Sequence, residues 1–201
     1  MCHAMRDALN ALQRLGGREE CLKLYEYYMF RLYFAESLRH SRVYTVNPAA
    51  SAYFMGEQFG MTAVIALFAF AEGISLPDKF RIHPLFTRYQ EMANVLAVVQ
   101  NDLVGLERDL VNGELNNIIY QMKAGKGLYE VVAREMKLYE QNVEELLVLR
   151  AEIMAQFKDD ENVVKYLALT DATLFGQLKM MDKVERNSMK GRLDFVMGEE
   201  E

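Results

Sequence analysis

MANVLAVVQNDLVGLERDL, residues 92–110, is the stretch on which the fold turns. Met92 to Gln100 is almost entirely apolar, apart from Asn94 and the closing Gln100. A helix of that kind belongs inside a bundle, not on its surface. From Asn101 onward the same run turns polar, through Asp102, Glu107, Arg108 and Asp109. The helix begins just after Pro84 and ends near Val111, where Asn112-Gly113 closes it.

On either side of this helix the sequence predicts more helices. Prolines occur only at positions 48, 77 and 84, and long stretches carry apolar residues at i, i+3, i+4 and i+7. The segments are Ala4 to Leu15, stopped by Gly16-Gly17; Glu19 to Arg42; Ser51 to Glu72, ended by Gly73 and Pro77; Glu114 to Met122; Leu128 to Phe157; and Val163 to Met189. Lys158 to Asn162 reads as a charged connector. The Ser51–Glu72 helix is apolar over much of its circumference and is expected inside the bundle as well. No window alternates with period two between turn residues, so no strand is expected. The fold class is all-α: one helical domain over residues 1–197, followed by an acidic tail at 198–201 expected to be disordered.

Composition narrows the function. Half of the 201 residues are apolar and the formal net charge is −6, which argues against a general nucleic-acid binder. The longest apolar run, Ala63 to Ala71, is nine residues and too short for a membrane span. The N-terminus shows no secretory pattern, and Cys2 and Cys21 make no disulfide framework, so a reducing cytoplasm is expected. His3, His40 and His83 have no zinc spacing. Asp159-Asp160, beside Lys158, reads as a solvated loop. The aromatics between Tyr25 and Phe34 and the 13 methionines read mostly as core. Glu130 and Arg134 read as a surface pair.

Chemistry concentrates in the polar end of the 92–110 stretch. Asn101, Gly105 and Asp109 stand at i, i+4 and i+8, one stripe drifting by about 80° over two turns. An amide oxygen and a carboxylate on one helical face are hard ligands of the kind Mg²⁺ accepts, with waters and substrate phosphates completing its shell. Arg108, beside the stripe, can reach a phosphate oxygen. Lys179, Lys183, Arg186 and Lys190 form a basic stripe on the last helix.

This stretch resembles the second metal motif of class I terpene synthases of the microbial type, N-D-x-x-S-x-x-x-E. Asn101 and Asp102 match, Gly105 stands where the family has Ser or Thr, and Asp109 where it has Glu. Arg108 sits where microbial members carry a basic residue. Asn112-Gly113-Glu114-Leu115-Asn116-Asn117 is similar to the family's glycine, acid, asparagine pattern, and Gly176-Gln177-Leu178 to its Gly-Asn-Leu. Arg186-Asn187 falls where the family has Arg-Tyr, and Pro48, Tyr53 and Gly60 resemble its Pro/Tyr segment. The resemblance runs from about residue 5 to residue 190. It implies a class I terpenoid synthase fold apparently lacking the N-terminal helices, metal positions at Asn101, Gly105 and Asp109, and diphosphate contacts from Arg108 and Arg186. It also implies Mg²⁺ as cofactor and a linear C10–C20 prenyl diphosphate as substrate, ionised with loss of diphosphate and cyclised as a carbocation.

Three departures accompany the match. Before Glu36 the only acids are Asp7, Glu19, Glu20 and Glu26, without the family's aspartate-rich cluster. No Lys or Arg occurs between Arg42 and Lys79, where the family has a diphosphate-sensing arginine, and Glu57 lies near that position. Gly105 supplies no hydroxyl, and Asp109 is a methylene shorter than Glu. The expectation is a terpene synthase homologue of weak or no turnover. The competing reading is a non-catalytic helical homologue that binds a hydrophobic ligand or pairs with a relative or with itself.

Overall fold

The computed structural model describes residues 3–29, 55–56, 59–112 and 126–183. Within them lie seven helices: α1 (His3–Arg14), α2 (Arg18–Met29), α3 (Met61–Ala71), α4 (Asp78–Arg81), α5 (Pro84–Asn112), α6 (Leu128–Phe157) and α7 (Glu161–Lys183). No strand occurs among the described residues, as the periodicity requires. The expected helix at 114–122, the acidic tail and the continuations of α2 and α7 lie outside the described residues.

The 29-residue α5 is the axis of the bundle. Met92, Ala93, Leu96, Ala97, Val98 and Val99 are all buried, so neighbours cover it on every side in its middle. α6 runs antiparallel to it: Arg88 pairs with Glu145 at 2.7 Å, while further along α5 the Gln100 amide donates to the Tyr139 hydroxyl at 2.8 Å. α7 is joined to both. The Tyr89 hydroxyl donates to Asp171 Oδ1 at 3.2 Å, and Arg150 of α6 donates to Asp171 Oδ2 at 2.8 Å. Burial, and then the Asp171 charge, push the Tyr89 phenol well above the ordinary range. Burial likewise pushes Tyr166 up to about 12, against the opposing hydrogen bond it accepts from Gln90. Phe80 of the short α4 is wholly buried between Phe86 and Phe157, with ring centroids 4.4 and 5.0 Å away.

Four local expectations are corrected. The helix expected over Ser51–Glu72 is interrupted at Gly60, whose φ of 74° is left-handed, so α3 begins at Met61; Ser51 lies outside the described residues. α3 is also not interior all round, because Val64 is 39% and Phe68 47% exposed. Between Gly73 and Pro84, read as a break, the chain forms α4, where the Asp78 carboxylate opens a single turn. α7 starts at Glu161 because Asp160 Oδ1 accepts the backbone N–H groups of Asn162 and Val163, both at 3.2 Å. Asp160 is therefore a helix cap.

Asn94, the polar residue in the apolar half of α5, has a clear task. Its side-chain oxygen accepts the Thr62 backbone N–H and the Thr62 hydroxyl, each at 2.9 Å. Gly60 offers no side chain to cap α3, so Asn94 caps it from a neighbouring helix. The preceding chain lies against the same place: a Cβ on Gly56 would stand 3.1 Å from the Val95 nitrogen. Glu135 of α6 is 2% exposed, and its Oε1 finds no hydrogen-bond partner among the described residues. Desolvation raises its pKa, with Arg134 opposing more weakly.

Two stability predictions follow from these buried groups. Asn94→Ala strands the Thr62 N–H and is expected to cost about 1–3 kcal/mol in urea unfolding, whereas truncating the half-exposed Phe68 is expected to cost less. Glu135 keeps its proton in the folded chain at pH values where the unfolded chain has released it, so its contribution to stability falls as pH rises from about 4.3 through the raised native value. Glu135→Gln is expected to raise the urea midpoint at pH 8 but not at pH 4. An equal shift at both pH values would show that proton linkage is not the cause.

Candidate functional site

The site lies where α5 leaves the apolar core and turns polar. Asn101 is half-buried, and its amide nitrogen lies 3.5 Å from Asp102 Oδ1. Asp102 and Asp109 are each only 4% exposed, and Gly105 between them is buried. The uninterrupted helix keeps Asn101, Gly105 and Asp109 on one stripe, with about 12 Å along the axis between the outer two.

Arg108 is the distinctive group. Its Nε donates to Asp109 Oδ1 at 2.7 Å, and its Nη2 stands 2.5 Å from the same oxygen. The pair is largely withdrawn from solvent: the Arg108 side chain is 20% and the Asp109 side chain 6% exposed. A buried carboxylate needs such a counter-charge. To reach it, the guanidinium crosses the bare backbone of Gly105. A Cβ there would meet Arg108 Nη2 at 2.8 Å and Asp109 Oδ2 at 3.2 Å. The first distance is shorter than real side chains allow, so any side chain at 105 would have to move the arginine.

These positions test the expected Mg²⁺ set. Asn101 and Asp109 carry hard oxygen donors. Gly105 carries none, and the space a hydroxyl-bearing side chain would enter holds the Arg108 guanidinium. No three His, Cys, Asp or Glu side chains converge as a metal site among the described residues. Asn101 and Asp109 thus keep oxygen donors of the chemistry that suits Mg²⁺, and Asp109 Oδ1 is held by Arg108.

The remaining expected positions divide. Arg186, Asn187, Asn117, Glu57, Pro48 and Tyr53 lie outside the described residues, as do the last members of the basic stripe. Gln177 is buried and donates to the Ala97 carbonyl at 2.9 Å, which ties α7 to α5 one turn before Asn101. Its place in the Gly-Gln-Leu run was visible in sequence; its carbonyl partner was not. The Arg108 contact across Gly105 was missed, although the i, i+3 spacing allows a long side chain to reach back over the preceding turn. Glu135 was not singled out in the sequence, although its spacing of i+4 from the buried Val131 and i−4 from Tyr139 marks the inner face. Glu130 pairs with Lys126 at 2.8 Å. A separate cleft of about 750 Å³, lined by Arg18, Glu19, Lys23, Phe70, Ile74 and Arg81, includes no residue of α5.

Comparison with known proteins bears on the chain as a whole. Residues 2–144 match the family described as terpene synthase family 2, C-terminal metal binding. The chain is 22% identical over 185 residues to germacrene A synthase of Nostoc punctiforme, covering 88% of this chain and 56% of that protein. It is 38% identical over 64 residues to terpene cyclase 4 of Gibberella fujikuroi, covering 32% of this chain and 18% of that one. The chain thus spans little more than half the length of the first relative and a smaller part of the second. In fold it is similar to a linalool/nerolidol synthase from Streptomyces clavuligerus, with TM-score 0.67 and 18% identity over 90% of this chain and 60% of that one. It is also similar to a variant of cucumene synthase, with TM-score 0.65 and 17% identity over 81% and 54% of the two chains. No described helix is long and apolar enough to cross a membrane. With an all-α bundle, a buried central helix and the Asn101–Asp109 motif at its polar end, the chain belongs to terpene synthase family 2.

Proposed function

We propose that this chain handles a linear prenyl diphosphate of C10–C20 length, with the diphosphate at the polar end of α5. The observation that carries the reading is the placement of Asn101 and Asp109 on one stripe beside Arg108, in a chain of this family. Asn101 and Asp109 are the residues that would hold Mg²⁺. Bound there, the metal would offset the charge that builds on the departing diphosphate. Arg108 supplies a cation already in place at the motif, and Arg186 is proposed as a second. The carbocation left by ionisation would cyclise among apolar and aromatic side chains, with water excluded. Turnover is expected to be slow, because Gly105 contributes no oxygen and Asp109 is shared with Arg108. The cytoplasm is the proposed location.

A second reading is a non-catalytic homologue that uses the fold to bind a hydrophobic ligand or a partner. It is favoured by the apolar side chains Val64 and Phe68, left exposed one turn apart on α3.

Diphosphate release from C10, C15 and C20 prenyl diphosphates separates the two. With Mg²⁺ the chain is expected to release diphosphate slowly. EDTA should abolish the release, and Asn101→Ala should lower it about tenfold or more, about 1.4 kcal/mol of transition-state stabilisation. Absence of release from all three substrates would leave the non-catalytic reading.

A further inference from the structure

We propose that Gly105 and Arg108 form a latch within α5 that holds Asp109 closed to metal ions. This rests on the reading of Asn101 and Asp109 as metal ligands. Arg108 places two nitrogens on Asp109 Oδ1, at 2.7 and 2.5 Å, where the Asp109 side chain is only 6% exposed. The guanidinium thereby does for the carboxylate what a bound cation would do: it neutralises the charge and satisfies an acceptor. Its route exists only because position 105 has no side chain, since a Cβ would lie 2.8 Å from Arg108 Nη2. The substitution that removes a ligand therefore also admits the group that covers the next one. A metal ion has to compete with the arginine for Asp109, and an anionic group that draws Arg108 away opens the site. Arg108 is in this sense a positioning residue for Asp109.

Gly105→Ala is the decisive variant. It adds neither a donor nor a charge, favours the helix, and fills the space under the guanidinium. The clashing atom is the far end of a flexible side chain, which can move aside. Mn²⁺ binding, read by the loss of the free-ion EPR signal, needs no substrate or turnover. The wild-type chain is expected to bind Mn²⁺ weakly. Gly105→Ala and Arg108→Gln are each expected to bind at least tenfold more tightly, with unchanged circular dichroism. Adding Asp109→Asn to either variant should remove the gain. Because Arg108→Gln also deletes a positive charge, the gain in Gly105→Ala is the one that identifies the latch. If the wild type binds as tightly as Gly105→Ala, and Asp109→Asn abolishes that binding, the latch is wrong and the metal reading stands. A gain that survives Asp109→Asn places the ion elsewhere and overturns the latch. If no chain binds Mn²⁺, both the latch and the metal reading fall.

Discussion

The structure depends on burying one helix on every side. Each unpaired polar group that a buried helix removes from water costs free energy. Polar groups along the buried length of α5 are accordingly tied to the elements around it. Asn94 caps α3 through Thr62, Tyr89 and Gln90 reach Asp171 and Tyr166 of α7, and Gln100 reaches Tyr139 of α6. Gln177 adds a bond in the other direction, onto the Ala97 carbonyl. These contacts are directional, unlike apolar packing, so they fix the rotation of α5 as well as its depth. Fixing that rotation decides which way Asn101, Gly105 and Asp109 face.

Much of this was legible in the sequence, for reasons specific to each element. The start of α6 and the extent of α5 were readable because glycine, proline or Asn-Gly punctuates long periodic runs there, and the end of α6 because a charged connector follows Phe157. The interior position of α5 followed from a stretch with no polar face. The same argument placed α3 too deep. Apolar composition says that a helix can be buried, but not that enough neighbours exist to cover it, and Val64 and Phe68 stay exposed. The cap at Asp160 was hidden behind its neighbours, because a run of charges reads as a connector until a backbone donor is seen on one of them. Glu135 was passed over for another reason: a single charged residue inside a long helix carries no motif, and only its helical spacing from Val131 places it on the inner face.

At the site, the sequence supplied the residues and their order but not their relation. Gly105 and Arg108 read as independent departures or matches, one a lost ligand and the other a basic residue kept. In three dimensions they are one arrangement. A carboxylate as buried as Asp109 is costly without a compensating cation. In a three-donor site a metal ion would meet that cost. Removing the middle side chain weakens the hold on such an ion, and the same removal clears a path for a guanidinium from the same helix. Restoring a side chain at 105 would therefore act in two ways, by displacing the internal cation and, if the side chain is a serine, by returning an oxygen. That is why the bare methyl of an alanine is informative: it separates the space at position 105 from the chemistry usually placed there.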